Sequence, residues 1–170
     1  MQVLETTRLR LRRLTPDDAP FILGLLNDPL FLRFVGDKGI RTVEGARDYI
    51  VTGPMASYAT HGFGLYHVSL KETGAPIGMC GLLKRETLED VDVGFAYLPQ
   101  FGGQGYATEA AIGTMQYGRT VLGLKRIVAI TAPDNLASQN VLRKIGLHHE
   151  RTIRLPVYKD DSFLFTPPGE

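Results

Sequence analysis

The residues Gln100-Phe101-Gly102-Gly103-Gln104-Gly105-Tyr106-Ala107-Thr108-Glu109-Ala110 place closely spaced glycines just ahead of an amphipathic run. Glycine accepts positive φ and lets a ligand approach the backbone closely. A helix opening at that point adds partial positive charge and free N–H groups. Such a loop suits a phosphate or pyrophosphate. A dinucleotide fold would need a third glycine where Thr108 stands and an acidic residue about twenty positions on, where Lys125 lies. A P-loop would need a lysine and a hydroxyl residue after the last glycine, and Gly105 is followed by Tyr106-Ala107. Other chemistries find little footing. His61, His67, His148 and His149 lack companions at metal-ligand spacing. There is no G-x-S-x-G elbow. The lone Cys80 sits in the apolar run Ile77–Leu83 and reads as a core residue.

The elements that must hold the loop follow from periodicity. Leu9-Arg10-Leu11-Arg12 alternates as a half-exposed strand, with Arg8, Arg10 and Arg12 on its solvated face. Thr15-Pro16-Asp17-Asp18 opens a helix carrying Phe21, Ile22, Leu25 and Leu26, and Asn27-Asp28-Pro29 ends it. Thr42 caps a second helix with Ala46, Tyr49 and Ile50. Strand-like runs at 62–70, 75–83 and 91–98 have short polar links, which predicts an antiparallel meander. A third helix starts at Gln104 and stops near Gly123. A strand at 126–131 follows, parallel to the run at 91–98 through a crossover. A fourth helix is capped by Asn135 or Asp134 and stopped by Gly146. The runs 147–155 and 162–166 form a hairpin, and 166–170 is a loose tail.

The 170 residues read as a single α/β (α+β) domain spanning 1–170, with about seven strands and about four helices. An apolar fraction of 44% allows a sizeable core. Nineteen basic against eighteen acidic residues give no bulk charge for nucleic acid or a membrane surface. A single cysteine excludes an intrachain disulfide framework, and no apolar run is long enough to span a bilayer. A soluble cytoplasmic protein is the expectation.

The pattern Gln100-x-x-Gly103-x-Gly105 resembles the acyl-CoA signature of the GNAT superfamily of N-acetyltransferases. Its extension Gly105-Tyr106-Ala107-Thr108-Glu109-Ala110 is similar to the RimJ/RimL-like branch, the ribosomal-protein N-terminal acetyltransferases. Three further segments resemble that branch in register: Asp92-Val93-Gly94-Phe95, Ile77-Gly78-Met79-Cys80-Gly81-Leu82, and 135–147. The resemblance spans roughly 8–166. It implies the acyl-CoA N-acyltransferase fold with its fourth and fifth strands splayed apart, and acetyl-CoA as acyl donor without a metal. It places the pyrophosphate at Gln100, Phe101, Gly102, Gly103, Gln104, Gly105, Tyr106 and Ala107. The pantetheine arm would pair with Phe95, Ala96 and Tyr97, and Asn135 and Asn140 would reach it from the far side.

Acyl transfer to an amine requires a neutral amine, stabilisation of the thioester oxygen and a proton for the departing thiolate. The resemblance points to a backbone N–H near Phe95 as oxyanion donor, on a strand bulged there. Asp92 stands where relatives often carry a glutamate, and it is the candidate base, ahead of Asp90 and Glu89. Glu109 reads as support for the helix start rather than as a catalytic group. Many relatives place a tyrosine acid where this chain has Leu142. Ser138 resembles the hydroxyl that the N-terminal acetyltransferase branch offers instead and is the candidate proton donor. The alternative is direct attack without a dedicated acid, since a thiolate leaves readily. The amine acceptor stays open among a protein N-terminus, a polyamine, an aminoglycoside and an amino-acid-like metabolite. Phe31, Phe34, Tyr49 and Tyr58 are candidates to shape its groove, and a homodimer is compatible with the family. A non-catalytic acyl-CoA-binding sensor would share every cofactor feature and lack turnover. A nucleotide-binding module would take NAD or ATP instead.

Overall fold

The computed structural model describes residues 1–169. Its strands are β1 (Gln2–Glu5), β2 (Leu9–Arg13), β3 (Leu65–Leu70), β4 (Pro76–Leu83), β5 (Val91–Tyr97), β6 (Ile127–Thr131), β7 (His148–Ile153) and β8 (Ser162–Thr166). They form one eight-stranded sheet in the order β1-β2-β3-β4-β5-β6-β8-β7. The meander β3–β5 is antiparallel and β5 and β6 are parallel, as the short links and the crossover predict. β2 also pairs antiparallel with β3, across the long helical segment between them. The strand not anticipated is β1. Its four residues at the sheet edge are too short to show a period, and only pairing with β2 defines it.

The helices are α1 (Ala19–Leu26), α2 (Pro29–Phe34), α3 (Val43–Ile50), α4 (Ala56–His61), α5 (Tyr106–Thr120) and α6 (Leu136–Lys144). Two exceed the four expected. Asp28-Pro29 does stop α1, but it also starts α2: Pro29 takes the first turn, and Asp28 Oδ2 accepts from Leu30 N–H at 3.0 Å. After α3 the chain does not stop at Gly53-Pro54. A π turn over Val51–Met55 absorbs the proline and passes directly into α4. The expected loose tail is also shorter. Thr166 is the buried last residue of β8, 167–169 lie outside any element, and Glu170 falls outside the described residues.

Two apolar clusters lie on the two sides of the sheet. One joins Leu9, Leu11, Cys80 and Leu82 to Ala110 and Met115 of α5 and Leu142 of α6. The other joins Ile22 and Leu25 of α1, Phe31 of α2 and Ala46 and Ile50 of α3 to Met79. The alternation of β5 follows: Phe95 and Tyr97 pack with the first cluster and Ala96 with the second. Gly78 permits the β4–β5 approach, since a Cβ there would fall 2.3 Å from the Ala96 carbonyl oxygen.

Candidate active site

The glycine loop is shaped from both ends. Gly103 and Gly105 take φ of 75° and 81°, which an L side chain rarely adopts, and Gly105 is the N-cap of α5. Among the described residues, the N–H groups of Gly103, Gln104, Gly105, Tyr106, Ala107 and Thr108 bond no backbone carbonyl. The loop is latched to the β1–β2 edge through Glu109. Its carboxylate accepts from Arg8 N–H at 2.8 Å, from Arg8 Nε at 2.7 Å and from the Thr6 hydroxyl. Arg8 Nη1 in turn donates to the Gln104 carbonyl at 2.9 Å, and its guanidinium lies over the Tyr106 ring. Burial would raise the Glu109 pKa, but the bonds from Thr6 and Arg8 outweigh it and hold the carboxyl below its ordinary value. The arginine face of β2 is therefore neutralised locally: Arg8 by Glu109, Arg10 by Glu5 and Arg12 by Asp18.

A cleft of about 650 Å³ opens where β5 and β6 part. The two strands pair only at Val91↔Ile127 and Asp92↔Val128. Beyond that, Val93, Gly94, Phe95 and Ala96 face Ile130, Thr131, Asn135 and Ser138 across the gap. Leu98 N–H bonds Ile77 on the β4 side, so by the strand period the Ala96 and Gly94 amides also point to β4. The Phe95 N–H then points the other way, into the gap. The β4–β5 register runs unbroken from Gly78↔Tyr97 to Leu83↔Asp92. The bulge expected near Phe95 is thus not present, and the regular alternation of the strand is what aims the Phe95 amide.

Asp92 lines this cleft and is 1% exposed, not a solvated strand residue. Arg85, from the turn before β5, grips it with Nε to Oδ1 at 3.0 Å and Nη2 to Oδ2 at 3.4 Å, and donates from Nη1 to the Tyr158 hydroxyl at 3.2 Å. Burial pushes the Asp92 carboxyl above its ordinary value against the opposing pull of Arg85. Ser138 and Asn135 line the opposite wall. Asn135 Oδ1 caps α6 by accepting from Ser138 N–H at 3.2 Å.

The structure brings Asp92, Phe95, Ala96, Asn135 and Ser138 to one cleft. Gln100, Phe101, Gly102, Gly103, Gln104, Gly105, Tyr106 and Ala107 form the adjoining turn and first helical residues without lining it. The Tyr97 hydroxyl is buried near Cys80 on the α5 side. Asn140 stands outside the cleft, exposed, and accepts from Arg143 at 3.3 Å. Phe31, Phe34 and Tyr49 line the cleft, but Tyr58 is a core brace. Its hydroxyl accepts from Leu14 N–H at 3.0 Å and donates to the Leu65 carbonyl. Asp90 instead pairs with Arg126 at 3.1 Å. Burial pushes the Cys80 thiol up to about 11, so no thiolate is available there. Among the described residues, no cluster of His, Cys, Asp and Glu could hold a metal ion, and no helix is long and apolar enough to cross a membrane.

Arg85, Tyr158 and Lys38 were not foreseen as site residues. They come from three loops whose sequence carries no period, and only the closed fold brings them to the cleft that Asp92 lines. Gln139 was also missed. It is buried and donates from Nε2 to the Pro133 carbonyl at 2.9 Å, which fixes the β6–α6 turn that carries Asn135. A polar side chain at an inward helical position was its only signal.

A mixed sheet splayed between two parallel strands, with a glycine loop beside the split, defines the class of acyl-CoA N-acyltransferases. Within it the chain belongs to the GNAT acetyltransferase family: the family model described as Acetyltransferase (GNAT) domain matches residues 8–148. The chain is 30% identical over 168 residues to the Bacillus subtilis protein YkkB, covering 94% of this chain and 96% of that one. It is 29% identical over 160 residues to the N-acetyltransferase YoaA of the same organism, covering 93% and 89%. The fold is shared with a GNAT-family acetyltransferase from Bacillus anthracis at a TM-score of 0.80 and 23% identity, covering 98% and 97%. It is also shared with RimL, the ribosomal L7/L12 alpha-N-protein acetyltransferase in complex with coenzyme A, at a TM-score of 0.84 and 17% identity, again covering 98% and 97%.

Proposed function

We propose that this protein transfers the acetyl group of acetyl-CoA to a primary amine by direct attack. The observation that carries the reading is the β5–β6 split, which exposes the Phe95 N–H beside a buried carboxylate and next to a loop of uncommitted amides. The complex of RimL with coenzyme A supports the choice of donor. The amides from Gly103 to Ala107 would hold the pyrophosphate, with the α5 dipole reinforcing them. The edge of β5 from Val93 to Tyr97 would pair with the pantetheine arm, and Asn135 would bond it from the facing wall.

Acetyl-CoA supplies the activated acyl carbon. The Phe95 N–H stabilises the carbonyl oxygen as it gains charge. Asp92, with its pKa raised by burial, accepts the proton that the amine loses as the C–N bond forms. Arg85 holds that carboxylate in place and steadies its charge. When the C–S bond breaks, Ser138 on the opposite wall would pass a proton to the sulfur and regain one from solvent as Asp92 releases the amine proton, leaving an amide and a thiol. Cys80 has no part, since no covalent enzyme intermediate is required.

The test is a melting-temperature series with acetyl-CoA, CoA, NAD and ATP, followed by thiol release from acetyl-CoA in the presence of amines. A shift with the CoA compounds alone, with turnover lost in Asp92→Asn and the shift retained, is expected. A larger shift with NAD, or none with CoA, would refute the reading. Unchanged turnover in Asp92→Asn would remove Asp92 from the mechanism.

A further inference from the structure

We infer that the acceptor is an amine that also carries an anionic oxygen group, a carboxylate or a phosphate, recognised by Arg85 and Lys38. The inference rests on reading the cleft as an N-acetyltransferase site and adds the class of acceptor.

The argument is a charge census of the cleft. Most of its charged groups are neutralised by a neighbour: Asp37 by Arg41 at 2.6 Å, Asp134 by Arg33 at 3.5 Å and Asp161 by Arg154 at 3.1 Å. Lys159 and Asp160, exposed on the same loop, are of opposite sign. What remains is the Arg85–Asp92 pair and one further cation, Lys38. Arg85 gives Nε–H and one Nη2–H to Asp92 and one Nη1–H to Tyr158, so a second N–H on each terminal nitrogen is unengaged. Lys38 has no acceptor and no ion-pair partner among the described residues. Its ammonium reaches solvent, but desolvation by the cleft walls, and then the Arg85 charge, hold its pKa below the ordinary lysine value.

The loop that carries Lys38 is braced by its neighbours. Asp37 accepts from Arg41 and from Gly39 N–H, and Arg41 donates to Asn27 Oδ1 at 2.9 Å. Asn27 in turn donates to the carbonyls of Leu23 and Ile40. A loop braced on both sides of Lys38 thus sets its backbone in the cleft wall, within electrostatic range of Arg85. Two like charges with spare donors are complementary to a bidentate anion. The same field lowers the pKa of a bound amine and so favours the neutral form that attacks.

The spacing bears on the shape of the acceptor. With the amine hydrogen-bonded to Asp92 and the anion on the free N–H groups of Arg85, contacts of about 3 Å on either side of the 3.0 Å Arg85–Asp92 bond separate amine and anion by roughly 6–7 Å or more. That fits an N-terminal amine followed by an acidic side chain, or a short aminoalkyl phosphate, better than an α-amino acid.

The experiment compares matched acceptors in the thiol-release assay: alanyl-aspartate amide against alanyl-asparagine amide, and aminopropyl phosphate against aminopropanol. The anionic member of at least one pair is expected to have kcat/KM higher by about tenfold or more, the weight of one charge-assisted hydrogen bond. The two pairs separate carboxylate from phosphate. In Lys38→Gln that preference should shrink through KM while the CoA-induced melting shift stays at its wild-type size. Equal rates within both pairs, preference for the neutral members, or no acetylation of either anionic amine by a protein that binds CoA overturns the inference. Loss of the CoA shift itself would instead overturn the acetyltransferase reading beneath it.

Discussion

Gly103 and Gly123 offer a controlled test of where the cofactor binds. Both have positive φ, 75° and 71°, and a Cβ at either would meet no heavy atom within 4 Å. Alanine at either site is therefore strained by backbone conformation alone, a cost of about 1–2 kcal/mol. For a chain of this size each kcal/mol moves the melting point by about 2–4 °C, so both variants should melt roughly 2–8 °C lower. They differ in what surrounds them. Gly103 lies among the uncommitted amides before α5, and Gly123 lies beyond the opposite end of that helix. A ligand at about 100 times its dissociation constant adds about 2.7 kcal/mol of stability, here a shift of roughly 5–11 °C. If the Gly103 loop holds the pyrophosphate, Gly103→Ala should lose at least half of that CoA-induced shift and Gly123→Ala should keep all of it. Differential scanning fluorimetry with and without CoA gives both numbers from one set of samples. A full shift in Gly103→Ala, or a lost one in Gly123→Ala, would refute the assignment of the loop.

Glu109→Gln should weaken CoA binding as well, because it releases Arg8 from Gln104 and Tyr106 while leaving the α5 cap intact. The depressed Glu109 pKa means that its contribution to stability is present above the unfolded value near 4.5 and is lost as pH falls through the folded one. The wild-type melting advantage over Glu109→Gln should therefore vanish in acid, and an advantage independent of pH would count against this account. Tyr58→Phe strands the Leu14 N–H and the Leu65 carbonyl, and should lower stability by about 1–3 kcal/mol with CoA affinity unchanged. A loss of CoA binding without loss of stability would put Tyr58 back in the groove. The raised Asp92 pKa predicts a pH profile of kcat/KM whose acid limb lies above the ordinary carboxylate value of 3.8. Asp92→Asn should lower kcat/KM by about a hundredfold or more and abolish that limb; an identical limb in the variant would assign it to another group.

Local rules account for what could be read from the chain. The glycine loop declares itself because positive φ and a helix start are written in a few adjacent residues, Gly103 through Tyr106. The meander declares itself because short polar links leave its apolar strands no other topology. The Asn135 cap is equally local. Burial decided the status of Asp92, since a carboxylate in an alternating strand looks the same on a wet face as in a closed cleft. It also separated Tyr58, a brace between Leu14 and Leu65, from Tyr49, which reaches the cleft. The splay of β5 from β6 is a matter of how far parallel pairing extends, which two apolar runs cannot specify. The surroundings of Asp92 in the cleft include Arg85, Tyr158 and Lys38, brought together from separate turns. Residues in aperiodic loops carry no signal of their partners, because long-range packing of the sheet and helices sets those distances.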